Sequence, residues 1–170
     1  MLTGLAPLVS NQTRLLILGS FPGVASLQAQ QYYGHPQNQF WRVLSAILCD
    51  IYVFSPLKFG ASSYQIRSEW LLSKKLGVWD VYATCERVGS LDSNIRQPVL
   101  NDFSMLKTLC PDLQAIAHNG GESFKHAKHT QNLGVPVFRL PSTSPANASR
   151  SFELTVAAWR VVFEKCGLNG

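Results

Sequence analysis

At 170 residues, 46% of them hydrophobic and with no long low-complexity or single-charge run, the chain is long and apolar enough for one domain with its own core, which excludes a disordered polypeptide. No apolar run approaches the roughly 20 residues of a membrane helix, and residues 1–14 lack both a basic n-region and a full apolar h-region, so the sequence predicts a cytoplasmic protein with no membrane partner. A net charge of +5 and a pI near 9.2 favour an anionic partner, while Cys49, Cys85, Cys110 and Cys166 form no CxxC pair and read as reduced thiols rather than metal ligands.

Strands alternate with helices along the chain. Leu15-Leu16-Ile17-Leu18 is a short apolar strand that breaks at Gly19 into the turn Ser20-Phe21-Pro22-Gly23, and a polar, aromatic loop with Tyr32, Tyr33, His35 and Asn38 follows. Asn38 is placed to cap a helix to about residue 48, with Trp41, Leu44, Ile47 and Leu48 on one side. A looser segment over 50–63 leads to a helix over 63–75. Residues 78–82 read as a second strand, 83–87 as a loop and 101–109 as a helix. A third strand over 113–118 turns at Asn119-Gly120-Gly121 into a helix over 122–130, where His126 and His129 read as surface residues. Residues 135–140 form a fourth strand and 141–147 a loop. The last helix, over 150–165, places Leu154, Ala158, Val161 and Val162 near one apolar face. This alternation predicts a single-domain, three-layer α/β/α sandwich around a central, mainly parallel four-stranded sheet.

Four polar loops, GSFPG, DVYATCER, HNGG and LPSTSPAN, lie at the strand ends, where open α/β sheets bind ligands. GSFPG lacks the Gly-Lys-Ser/Thr of a phosphate-binding P-loop. It also lacks GxGxxG, and no GxSxG elbow is present. HNGG fits tight strand-to-helix packing as well as ligand contact. Hydroxyl- and glycine-edged loops of this kind suit phosphate.

GSFPG followed by QQYYGHPQNQFW is similar to the first signature of the uracil-DNA glycosylase superfamily, and LPSTSPAN resembles its second. VWDVYATCERVGSLDSNIR resembles the strand and loop between them, and together the pattern most resembles the hypoxanthine-DNA (deoxyinosine) glycosylase branch. The resemblance implies a uracil-DNA glycosylase-like fold, DNA containing deaminated bases as the partner, no cofactor and a monomer. It implies Asn38 as the catalytic group. Phe21, Tyr33, Asp80 and His35 would contact the base, and Gly23, Ser26, Ser142, Ser144 and Arg150 the DNA backbone. Two positions depart from the superfamily pattern: Phe21 and Leu140 stand where relatives carry polar catalytic groups.

The residues keep plainer roles beside these. Asn38 also suits a helix cap, Tyr33 and Phe21 a core, and His35 a loop brace. Asp80 equally suits a purine edge or a loop backbone, while Ser142 suits a turn hydroxyl and Arg150 a solvated helix start. Glycosidic cleavage builds oxocarbenium character on the sugar and negative charge on the base, and it is helped by oriented water and aimed dipoles. A neutral Asn38 can position water but cannot hold its proton. With the resemblance, the expected activity is monofunctional hydrolysis of hypoxanthine from deoxyinosine. The alternatives are a uracil- or mismatch-specific glycosylase, a non-catalytic reader of damaged bases, or a hydrolase of free nucleosides.

Overall fold

The computed structural model describes residues 1–48, 63–147 and 149–168. In chain order the strands are β1 (Leu2–Thr3), β2 (Leu15–Gly19), β3 (Leu76–Asp80), β4 (Tyr82–Glu86), β5 (Arg96–Leu100), β6 (Ala115–Asn119) and β7 (Val137–Leu140). The helices are α1 (Val24–Ala29), α2 (Phe40–Leu48), α3 (Ser63–Ser73), α4 (Leu106–Leu109), α5 (Gly121–Phe124), α6 (Ala127–Gln131) and α7 (Phe152–Lys165). Most of the predicted 50–63 segment, and Cys49, lie outside the described residues.

β2, β3 and β6 are short continuous runs buried at every position, the pattern of strands covered on both faces. They form a parallel sheet in the order β3-β2-β6-β7, with β2 paired on both sides. α2 and α7 pack together, Trp159 meeting Phe40 edge-on at 6.1 Å. α5 packs on β2, β6 and β7. Between α5, α6 and the sheet lies a fully buried His118, its ring nitrogens 2.8 Å from Ser123 Oγ and 2.8 Å from Thr130 Oγ1, while Ser123 Oγ donates to Leu18 O. Burial pushes the imidazole down to about 4, so it stands neutral with both nitrogens partnered.

The structure adds a sheet that periodicity did not predict. After Asp80 the chain steps through Val81, which donates to Gly19 O, and Tyr82, which donates to Ser20 O. Residues expected as a loop then form β4, paired antiparallel to β1 and β5 with two register irregularities. β5 is an exposed edge strand, the setting that tolerates Pro98. The predicted helix over 101–109 is a 3₁₀ turn followed by the single turn of α4. The one over 122–130 breaks between α5 and α6 at His126, half-buried beside the Tyr82 hydroxyl at 2.8 Å. His129 is exposed. α7 buries Thr155, Val156, Trp159, Val162 and Phe163 and leaves Leu154 and Val161 58% and 50% exposed. Its inward face is therefore rotated from the aliphatic stripe toward the larger aromatics, which remove more apolar area from water. Cys85 and Cys110 are buried free thiols and Cys166 a half-buried one. No helix among the described residues is long and apolar enough to cross a membrane.

Trp159 ties this core to the loop after β7, because its Nε1–H donates to Pro141 O at 2.9 Å. Trp159→Ala should cost about 3–5 kcal/mol of stability, whereas Trp159→Phe should keep much of the packing and lose the bond and some contact area. Urea denaturation of the two variants measures the difference, and equal midpoints for Phe and Ala would show that packing at this position is immaterial.

Candidate active site

The carboxyl ends of β2, β3, β6 and β7 deliver their loops to one cavity of about 540 Å³. After β2, the turn at residues 20–23 is held from the β4 side. Arg87 lies over the Phe21 ring at 5.3 Å and donates to Pro22 O, Ser20 Oγ donates to Asp92 Oδ1 at 2.7 Å, and Ser90 Oγ accepts from the Val24 amide at 2.9 Å. Phe21 is buried and lines the cavity, as does Gly23 at the start of α1. Ser26 is also in the wall, but its buried Oγ accepts from the Gly34 amide and so braces the tyrosine loop.

The two tyrosines part company. Both line the cavity, but Tyr32 is buried and donates to Ala6 O, while Tyr33 adopts φ +54, an uncommon conformation for an aromatic residue. Its ring stacks on Phe40 with centroids 3.9 Å apart and a 19° interplanar angle. Burial pushes its hydroxyl far above the ordinary tyrosine range, so the group is a neutral phenol.

Asp80 ends β3 inside the cavity wall. Its carboxylate oxygen Oδ1 lies 2.6 Å from the position a Cβ at Gly19 would occupy, so any side chain there would displace the carboxyl. Burial, and secondarily the Asp92 carboxylate, push Asp80 up to about 7 against the opposing pull of Arg87.

Asn38 lines the cavity half-buried, and its Oδ1 accepts from the Phe40 amide at 2.9 Å, meeting a free donor at the start of α2. One lone pair of that oxygen and the Nδ2 amino group remain. His35 sits exposed at the rim, where its Nδ1 accepts from the Gln37 amide, a brace within its own loop.

Asn119 and Thr143 join these parts, and the sequence reading did not single them out. Asn119 Nδ2 donates to Tyr33 Oη at 3.2 Å and Thr143 Oγ1 at 3.0 Å, and its Oδ1 accepts from the Thr143 amide at 3.1 Å. The available signal was an amide at a strand end directly before Gly-Gly. Gly120 has φ +98, and a Cβ there would stand 3.1 Å from that of Ser142. Ser142 Oγ accepts from the Ser144 amide, Ser144 Oγ from the Ala146 amide, and both serines line the cavity. Arg150 stands apart on an adjoining cleft, with Arg139, Asn147 and Ser142. Of the predicted residues, all but Arg150 thus meet in one cavity. Among the described residues no three His, Cys, Asp or Glu side chains gather as a metal site. A stacked ring, a buried carboxyl and an amide suit a flat heterocycle with a polar edge.

The uracil DNA glycosylase superfamily model matches residues 6–163. The chain is 35% identical to a hypoxanthine DNA glycosylase of Methanosarcina barkeri (strain Fusaro / DSM 804), over 95% of this chain and 98% of that protein. It is 33% identical to a hypoxanthine DNA glycosylase of Methanosarcina acetivorans, over 94% and 96%. A solution NMR structure of a candidate uracil DNA glycosylase from Methanosarcina acetivorans superposes with a TM-score of 0.81 at 33% identity, covering 97% of this chain and 98% of that one. With its parallel sheet, its two loop signatures on one cavity and these full-length similarities, the chain belongs to the uracil DNA glycosylase superfamily.

Proposed function

We propose that this chain is a monomeric, monofunctional DNA glycosylase of the cytoplasm that turns a deaminated purine nucleotide, hypoxanthine above all, out of DNA and hydrolyses its N-glycosidic bond. The observation that carries the reading is convergence. The two loops that resemble the family signatures close on a single cavity, in a chain whose full-length relatives are named hypoxanthine DNA glycosylases.

Extruding a base costs a few kcal/mol of lost stacking, and an aromatic contact returns about 1–3 kcal/mol per base. Tyr33 is suited to that contact, since its ring is backed by Phe40 and lines the cavity. In the reaction the C1′–N9 electron pair leaves on the base, the oxygen of a water bonds to C1′, and the water's proton passes to solvent and then to the base. The products are a free base and an abasic site. Phe21 and Leu140 are buried and apolar and cannot handle that water. Asn38 can, through its remaining lone pair and its amino group. No lysine lines the cavity among the described residues, so no amine is at hand to carry the reaction on to strand cleavage.

A duplex with one deoxyinosine tests the reading. Free hypoxanthine and an alkali-labile abasic site are expected. Tight binding without release would make the protein a reader of damage, and faster release of uracil would move the substrate to that base.

Asn38→Ala should lose about 100-fold or more in single-turnover rate, a barrier of about 2.7 kcal/mol. Because its oxygen also meets the Phe40 amide, the same variant should lose about 1 kcal/mol of stability. Asn38→Asp retains the acceptor, so stability should return; its carboxylate can activate water but also repels the departing base, so substantial retained rate in Asp with loss in Ala would support the water role. Parental rates in Asn38→Ala, with enzyme in excess, would remove Asn38 from the mechanism.

Duplex affinity should fall with salt at a log–log slope of about 0.9 per phosphate neutralised. Arg150→Gln should lower that slope by about one contact, measured by fluorescence anisotropy across a salt series. An unchanged slope would take Arg150 off the DNA backbone.

A further inference from the structure

Asp80 is a confined ionisable side chain in the wall of the cavity. It is 5% exposed, and its Oδ2 is buried and receives no hydrogen bond from any described residue. Asn101 Nδ2 donates to the Asp80 backbone oxygen at 2.8 Å, not to the carboxyl. Gly19, which offers no side chain, lies under Oδ1.

An ionised carboxylate carries about four lone-pair sites, and buried it is stable only when donors or a cation meet them. Here the surroundings supply the reverse. Asp92, on the loop after β4, adds a second negative charge, and Tyr32 and Tyr33, from the loop after α1, are neutral phenols. The one cation acting on it, Arg87 of the β4 side, is turned onto the Phe21 ring and the carbonyls of Pro22 and Gly89. Burial and the Asp92 charge hold the Asp80 proton on to about pH 7.

We propose that Asp80 works as a neutral carboxylic acid, donating its O–H to a carbonyl oxygen of the extruded base while its own carbonyl accepts from the neighbouring ring N–H. The inference rests on the glycosylase reading above and names the edge being held: a lactam, with N–H beside C=O. Hypoxanthine has that edge. As the C1′–N9 bond breaks, negative charge builds on the base and its carbonyl oxygen. A neutral donor aimed at that oxygen strengthens as the charge grows, whereas an ionised carboxylate would repel it. The proton stays on Asp80 throughout, and the departing base takes its proton from solvent.

Single-turnover release of hypoxanthine from duplex at subsaturating enzyme, where the rate reports ionisations of the free protein, followed from pH 5.5 to 9, tests this. The parental rate should hold to about pH 7 and fall about tenfold per pH unit beyond it. Asp80→Asn keeps a donor and an acceptor but has no proton to lose, so its rate should be independent of pH and overtake the parent in alkali. Carbon-13 NMR of the free parent should show one aspartate carboxyl titrating near 7, absent in Asp80→Asn. Stability supplies a third reading. A folded-state value raised above the unfolded one of about 3.9 means that the stability contributed by the group is complete below that pH and lost as pH rises through about 7. Asp80→Asn should therefore gain on the parent across that window. A parental rate that stays level or rises between pH 7 and 9, or a carboxyl titrating near 4, would overturn the inference alone. No base release at any pH would overturn the glycosylase reading and the inference with it.

Discussion

The site depends on one side chain that touches both halves of it. Asn119, the last residue of β6, uses both amide hydrogens and its oxygen to hold Tyr33 and Thr143, which lie 86 and 24 residues away in sequence. Each such bond contributes only about 1 kcal/mol net. Removing the amide would also leave a buried phenol and a buried backbone amide without partners, at about 1–3 kcal/mol apiece. The first-signature and second-signature loops therefore stand in register with each other through the sheet, because a strand end is the most rigid point from which both can be reached.

The same economy governs charge. The chain carries +5 overall, yet the deepest polar groups of the sheet and cavity are neutral or nearly so: His118 by burial between two hydroxyls, Tyr33 as a phenol and Asp80 as a carboxyl held near neutrality. The one ion pair among the described residues, Lys125 with Glu122 at 2.6 Å, is solvent-facing and contributes little. Long-range attraction for a polyanion thus comes from the surface. Discrimination falls to short-range hydrogen bonds deep in the cavity, where such bonds are stronger than in water, with the Asp92 carboxylate in its wall.

Parallel strands were legible in the sequence because they are buried on both faces and so appear as unbroken apolar runs. The antiparallel second sheet was not. β4 reads Tyr-Ala-Thr-Cys-Glu, with small and polar residues at half-buried positions; its partner β1 is two residues long and distant in sequence, and its partner β5 is too exposed to announce itself. The inward face of α7 was likewise misjudged, since Leu154 and Val161 obey helical spacing while the volume to be filled beside Phe40 calls for Trp159.

What the sequence determined by itself was the fold class, the family, and the loops that form the cavity, since strand patterning and short motifs are local properties of the chain. Tertiary structure alone decided how those residues are used. Tyr33 and Tyr32 both line the cavity, but only Tyr33, on a left-handed backbone, lays its ring on Phe40, while Tyr32 is anchored to Ala6 O. Ser26 braces a loop, and Arg150 opens onto a neighbouring cleft. Asn119 is the joint between the signatures. Asp80, an ordinary carboxylate on paper, becomes a group titrating near 7 only when Gly19, Tyr33 and Asp92 close around it. Desolvation depends on every atom that excludes water from a point, and those atoms come from segments the linear sequence does not place side by side.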